Sequence, residues 1–312
     1  MSRIILRRAL YIKSMLIYVT EPREIDPEAL ELLSMSGHTV TTGLDTNAEA
    51  LFIRTYTQAT KEYLAQFPNL KYILRAGVGL DNIDVAECKR RSVEVINAPG
   101  ANANAVAEYV VLAVLLSLRQ IDAQRRSLAK GTWRSSEHMG GELKGKVLGL
   151  IGCGNVGKAI AKKLSGWELN EIIGSDPFLS ETELSAAGIR KVELPEVLAT
   201  ADIISLHVPL LPETKHLINE ETLSQMKRGV LLVNAARGGV IDEGALVAAI
   251  KSGQVSGAVL DVLEEEPEVP SELRALDTVI LTPHIAGLTT EANKEVSLAP
   301  ARALLQHLQR SK

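Results

Sequence analysis

The heptapeptide IGCGNVG, Ile151–Gly157, stands near the middle of the 312-residue chain and follows the apolar run KVLGLI that begins at Lys146. Gly152, Gly154 and Gly157 have the G-x-G-x-x-G spacing, and VGKAIAKKLSG continues from them with helical character. Each glycine has a separate physical task. Gly152 permits a tight turn, Gly154 lets the backbone approach a pyrophosphate, and Gly157 lets the helix pack close to the strand. A helix opening at Asn155 and Val156 presents unpaired N–H groups and a favourable dipole to phosphate. About 20 residues further on, EIIGSDP ends a second apolar run at Asp176, where an acidic residue binds a ribose diol. A carboxylate there repels a 2′-phosphate, and no arginine follows in DPFLS, so NAD is preferred over NADP. The competing reading of Asp176 is a turn cap before Pro177.

Such a turn usually opens a domain, yet here comparable lengths of chain lie on both sides. Upstream, the runs MLIYVT (from Met15), LFIRT (from Leu51), YILRAG (from Tyr72) and VEVINAP (from Val93) read as buried strands. Between them lie the helical stretches DPEALELLSMSG and TKEYLAQFPN. Alternating strands and helices imply a parallel sheet wrapped by helices, an α/β domain in its own right. Downstream, KVLGLIG, EIIGSDP, DIISLHVP, GVLLVNAA, SGAVLDV and TVILTPHIAG are near-continuous apolar runs, as strands covered on both faces should be. Between the halves, a stretch with Asn102 or Asn104 as cap and Gly131 as stop predicts one helix of roughly 25 residues. Its uninterrupted apolar part, Tyr109 to Leu116, is well short of the ~20 residues a bilayer requires. The segment from about Thr290 to Leu308 reads as a last helix with nothing beside it in sequence to pack on.

A chain of this length exceeds what one hydrophobic core usually serves. Hydrophobic content of 46% with 23% charged residues fits a soluble globular protein, and the net charge of −4 offers nucleic acid or an anionic membrane no general attraction. Cys88 and Cys153 lie far apart and form no redox or metal pair, and the six histidines form no ligand motif, so no metal is expected and a reducing, cytoplasmic setting is. The opening MSRIILRRALYIKS lacks the long apolar core and cleavage site of a secretory signal, and residues 1–14 are read as an extension before the first strand.

Three stretches place chemically able side chains at strand ends. Arg237 follows GVLLVNAA, Asp261 precedes the acidic run Glu264, Glu265 and Glu266, and His284 follows TVIL. Ligands of doubly wound sheets sit at the carboxyl ends of strands. An arginine, a carboxylate and a histidine there suit hydride transfer to or from a 2-hydroxy acid, whose carboxylate needs a bidentate cation and whose hydroxyl proton needs a base. The bland alternatives are an arginine bracing the fold and an acidic run of which two members are merely solvated. His207, in SLHVPLL, competes with His284 for the role of base.

The stretches RAGVGLDNID, NAPGANANAVAEYVV, GCGNVG, NAARGG, DVLEEEP and TPHIAG occur in this order from about Met15 to the C-terminus. With them the chain resembles the NAD-dependent D-2-hydroxyacid dehydrogenases, most of all the phosphoglycerate dehydrogenase branch. The resemblance implies two Rossmann-like α/β domains: a split, flavodoxin-like substrate domain (residues 15–103 and 287–312) and a doubly wound, parallel-sheet NAD-binding domain (104–286). The split explains the central glycine turn and the isolated last helix. His284 would be the general acid/base, Glu266 would hydrogen-bond it and fix its tautomer, and Arg237 would orient the substrate carboxylate and polarise the C2 oxygen. Asp261 would meet the nicotinamide carboxamide, while His207, Val208 and Pro209, with Ala235 and Ala236, would line the cofactor site.

For the substrate, the resemblance assigns the carboxylate to backbone N–H groups at Gly77 and Val78. Arg54 and Arg75 would bind a second anion, which phosphoglycerate or sulfolactate carries; the alternative for Arg54 is a solvent-exposed cation. AKGTWRSSEHMGGELKG resembles the family's dimer arm, with Trp133 as an interface anchor, so a homodimer or dimer of dimers is expected. The sequence ends at Lys312, so control by serine through a C-terminal regulatory domain is not expected. Formate dehydrogenases share the fold but carry glutamine at the position of Glu266, and NAD-sensing corepressors share it without turnover.

Overall fold

The computed structural model describes residues 14–134 and 136–310. The expected extension at residues 1–14 lies outside them except for Ser14. The chain forms two compact units: one runs to Asn102 and resumes at Leu288, and the other is Ala103–Gly287.

The first unit holds β1 (Leu16–Val19), β2 (Thr39–Thr41), β3 (Ala50–Ile53), β4 (Tyr72–Arg75) and β5 (Glu94–Ile96) in the order β2-β1-β3-β4-β5, every pair parallel. This is the flavodoxin-like order, whose switch point lies between β1 and β3. Ile17, Val19, Ala50 and Phe52 are fully buried and face Leu33 of the helix Pro27–Met35 and Leu298, Ala301 and Leu304 of the helix Thr290–Arg310. Each such large side chain contributes about 1.5–3 kcal/mol by leaving water. The last helix thus completes a core begun at Met15, nearly 300 residues earlier. Asp26 caps the first helix through the Glu28 N–H, and Gly37, at φ +91°, ends the turn beyond it.

The second unit holds β6 (Val147–Ile151), β7 (Glu171–Ser175), β8 (Arg190–Lys191), β9 (Ile203–Leu206), β10 (Val230–Asn234), β11 (Val255–Leu260) and β12 (Val279–Leu281). Their order is β12-β11-β10-β9-β6-β7-β8, again parallel throughout, with the switch point between β6 and β9. The apolar runs predicted for the inner strands all appear. β2 and β8, not predicted from the sequence, are edge strands of three and two residues without an apolar run. The single long helix expected after Asn102 is instead two, Ala103–Leu118 and Ile121–Ala129, bent by 55° at Gln120, whose φ is +48°. Its apolar face covers Leu148, Leu150, Val233 and Val259, so the polar residues from Gln120 onward have nothing to bury and the axis turns away. No single helix among the described residues is long and apolar enough to cross a membrane.

Candidate active site

The glycine turn leaves β6 at the switch point. Gly152 has φ +86°, and a Cβ there would stand 2.6 Å from the His207 carbonyl oxygen at the end of β9. Gly157 closes the turn, since a Cβ on it would lie 2.9 Å from the Gly152 oxygen. Gly154 has open space where a side chain would be; Gly154 and Asn155 are exposed, and Val156 partly so. The helix Asn155–Leu164 receives no side-chain cap, so its N-terminal N–H groups face that open space. This fits a pyrophosphate. Asp176 does cap its turn: Oδ1 accepts from the N–H of Phe178 and Leu179, while Oδ2 accepts from Cys153 N–H at 2.9 Å. The turn-cap reading of Asp176 therefore holds, and the same carboxylate locks the glycine turn at the end of β7. Cys153 is buried, and burial pushes its thiol up to about 12, so it stays inert.

The two histidines at strand ends differ in kind. His207 Nε2 lies 2.8 Å from the hydroxyl of the fully buried Ser205, and burial pushes the imidazole down to about 3. Burial thus favours its neutral form, and among the described residues no carboxylate is paired with it. His284 is exposed and its Nδ1 lies 2.9 Å from Glu266 Oε2. A carboxylate only accepts, so Nδ1 carries the proton and Nε2 is the outward atom. Glu266 is itself placed by the Leu263 N–H, which donates to Oε1. Of the remaining acidic run, Glu264 is not simply solvated. Its Oε1 accepts from the Glu243 N–H and stands 3.1 Å from His216 Nε2, and its own N–H donates to Glu243 Oε1.

Arg237 follows β10 on a turn that Asn234 organises. Asn234 is 1% exposed; its Nδ2 donates to the Arg237 carbonyl and its Oδ1 accepts from Ala236 N–H. The next residue, Gly238, has no room for a Cβ, which would collide with the Leu263 backbone. That contact seats the Arg237 turn against the loop bearing Glu266. Val208, Ala235 and Ala236 are half-buried and Pro209 is exposed, all beyond the ends of β9 and β10.

Asp261 is anchored to its own neighbourhood. Its residue is 1% exposed, and its carboxylate accepts from Thr282 Oγ1, Ile285 N–H and Ala286 N–H at 2.6–2.8 Å. These bonds tie it to the loop that carries His284.

In the first unit, Arg54 follows β3 and is only 8% exposed, so it is not a solvent-exposed cation. Nη1 donates to the Glu24 carbonyl, and burial lowers the guanidinium's pKa against the pull of Glu24 and Glu21. Glu21, which the sequence reading passed over, accepts from the N–H groups of Arg54, Thr55, Tyr56 and Thr57 and so fixes this loop at the switch point. Arg75, at the end of β4, lies over Gly77, where a Cβ would overlap its guanidinium. Gly77 is buried, and its N–H donates to the Arg75 carbonyl at 2.8 Å. It does not present that N–H outward as expected; Val78, 38% exposed, is the surface member of the pair. Among the described residues, no three histidine, cysteine or acidic side chains are arranged to hold a metal.

Residues 111–286 match the model of a family described as D-isomer specific 2-hydroxyacid dehydrogenase, NAD binding domain. The chain is 40% identical over 302 residues to a D-3-phosphoglycerate dehydrogenase of Archaeoglobus fulgidus, covering 93% of this chain and 57% of that protein. It is 42% identical to a hydroxypyruvate reductase of Thermotoga maritima, covering 83% of this chain and 85% of the relative. Among solved structures, a glyoxylate reductase from Paecilomyes thermophila superposes with a TM-score of 0.85 at 30% identity, covering 96% and 97% of the two chains. The chain spans about half the length of the phosphoglycerate dehydrogenases it matches. Two parallel α/β units, a glycine turn at the switch point of the larger one, and these likenesses agree: the chain belongs to the D-isomer specific 2-hydroxyacid dehydrogenase family and carries its NAD-binding domain.

Proposed function

We propose that this chain transfers a hydride between NAD and C2 of a small anionic 2-hydroxy acid, with 3-phosphoglycerate as the preferred substrate. The observation that carries the reading is the exposed His284–Glu266 pair, with Nδ1 on the carboxylate and Nε2 turned outward. Gly152–Gly157 would hold NAD, with Asp176 toward its ribose, and the bound cofactor would supply the hydride acceptor. The chain's own residues handle the rest. His284 Nε2 takes the C2 hydroxyl proton on oxidation and returns it on reduction, and Glu266 stabilises the imidazolium so formed. Arg237 holds the substrate carboxylate and polarises the C2 oxygen. Arg54 and Arg75, at neighbouring strand ends of the first unit, are the ligands for a distal anion, with Val78 beside them.

A second reading is reduction of hydroxypyruvate, favoured by likeness to a relative of that name over 85% of its length. Trp133, 87% exposed, supports a homodimer built through the segment around it. The test is steady-state turnover with NAD and NADP on phosphoglycerate, sulfolactate, glycerate and lactate, with the corresponding oxo acids in reverse. Preference for phosphoglycerate with NAD is expected. Tight NADH binding without turnover of any acid would make the chain a nucleotide sensor. His284→Ala should lower kcat at least about 10²–10⁴-fold while NADH affinity, read by fluorescence titration, stays the same. Survival of activity would remove His284 from the role of acid/base.

A further inference from the structure

The pair that carries the proposed chemistry is only partly covered by its surroundings. The side chains of His284 and Glu266 are 52% and 39% exposed, and His284 sits at φ +56°, a left-handed backbone uncommon outside glycine. The orientation of the ring must come from its loop. That loop is pinned from beneath: the His284 N–H donates to the Asp261 carbonyl, and the next two N–H groups, of Ile285 and Ala286, donate to the Asp261 carboxylate. Two further hydroxyls complete the assembly. Thr282 Oγ1 lies 2.6 Å from Asp261 Oδ1, and the Tyr109 hydroxyl, from the long buried helix, is hydrogen-bonded to Thr282 Oγ1.

The direction of this chain of bonds is fixed by chemistry. A carboxylate cannot donate, so the Thr282 proton points to Asp261, and Tyr109 must be the donor to Thr282. Burial pushes the Tyr109 phenol up to about 12, so that donor is present throughout the working range. We propose that Tyr109 and Thr282 are positioning residues: their relay into Asp261 holds the left-handed turn that aims His284 Nδ1 at Glu266. The helix bearing Tyr109 is packed in the core against β10 and β11, so the relay ties an exposed proton-transfer pair to the buried core of the unit. This rests on the reading of His284 as the acid/base.

The experiment compares Thr282→Val, Thr282→Ser and Tyr109→Phe with the wild type in two assays. The first is kcat and KM on the best acid from the substrate panel. The second, independent of turnover, is the tautomer of His284 in ¹⁵N-histidine-labelled protein, its resonances identified with His284→Ala. Thr282→Val should lower kcat about 10–100-fold with KM within about threefold, as expected for a misaimed group. Thr282→Ser should return kcat to within about threefold of the wild type, and Tyr109→Phe should fall between. The wild type should show the Nδ1–H form, and Thr282→Val the Nε2–H form that a solvated imidazole prefers. A serine variant as damaged as the valine one would reduce Thr282 to packing and overturn the proposal. Wild-type kcat and tautomer in Thr282→Val would do the same. If Thr282→Val does not fold, Tyr109→Phe decides on both readouts. A wild type that turns over no acid but whose tautomer responds to Thr282→Val would sink the enzymatic reading and leave the positioning role standing.

Discussion

The two units solve one problem with different carboxylates. In the larger unit, Asp261 gathers two backbone N–H groups and a threonine hydroxyl to hold the loop of His284. In the smaller unit, Glu21 gathers four successive N–H groups to hold the loop of Arg54. Asp261 sits at the end of β11 beside the loop it holds, so a short side chain suffices and is sealed at 1% exposure. Glu21 reaches across from the end of β1 and needs the longer side chain. The lesson is that a loop presenting an active group at a strand end spends its own N–H groups on an internal anion. Successive N–H groups form a concavity that would otherwise draw an external anion. With the carboxylate in place those N–H groups are spent, and on the proposed reading the side chains of His284 and Arg54 are left to meet a ligand.

The sharpest way to break this comparison is Asp261→Ala. It leaves the N–H groups of Ile285 and Ala286 without acceptors, at about 1–3 kcal/mol each when buried. Hydrogen exchange at these two amides should speed up by at least tenfold, and kcat should fall about 100-fold. The Arg54 loop should keep its exchange rates. Unchanged protection at Ile285 and Ala286 would show that the loop is held by something other than Asp261.

How far these loops could be read from sequence follows from what each residue does. The glycine turn was legible because its three glycines answer to three steric demands met in local order, and the inner strands were legible as unbroken apolar runs. His284 and Arg237 stood out as polar residues directly after such runs, whereas Glu266 was singled out of its acidic run only by the resemblance. Asp261, too, stood out at the end of such a run, but its position alone could not say whether it faces a ligand or its own loop. Glu21 is likewise a strand-end acid, in YVTEP, yet it reads as an ordinary helix-approach residue because its partners lie more than 30 positions away. Thr282 and Asn234 are small polar residues whose meaning depends on burial, which local sequence does not reveal. The bend at Gln120 was hidden because helical propensity continues through it; what stops is the surface to pack against.

Arg54→Ala sharpens the comparison from the ligand side. A bidentate arginine–anion contact is worth about 1.5–3 kcal/mol, so KM for acids with a distal phosphate or sulfonate should rise tenfold or more, and for lactate-type acids hardly at all. Equal rises for both classes would mean that Arg54 serves the loop, through its bond to the Glu24 carbonyl, rather than the substrate.

The smallest effect is expected from Glu21→Gln, and its dependence on pH makes it diagnostic. Burial raises the Glu21 carboxyl's pKa, but its hydrogen bonds with Thr57, Tyr56 and Thr55 outweigh burial, and the net shift is below the ordinary 4.5. A carboxylate whose folded pKa is depressed binds fewer protons folded than unfolded. Its contribution is therefore complete above the ordinary value and disappears as pH falls through the folded one. Glutamine keeps the shape and one acceptor oxygen but turns an amide toward N–H groups that need an acceptor, at about 1–2 kcal/mol. The wild type should thus be more stable than Glu21→Gln by a constant margin above about pH 5, and the margin should close below that. Thermal melting of both proteins across that range measures it. A margin that persists into strong acid would mean that the loop of Arg54 is held by the shape of residue 21 and not by its charge, and the parallel with Asp261 would fail at that point.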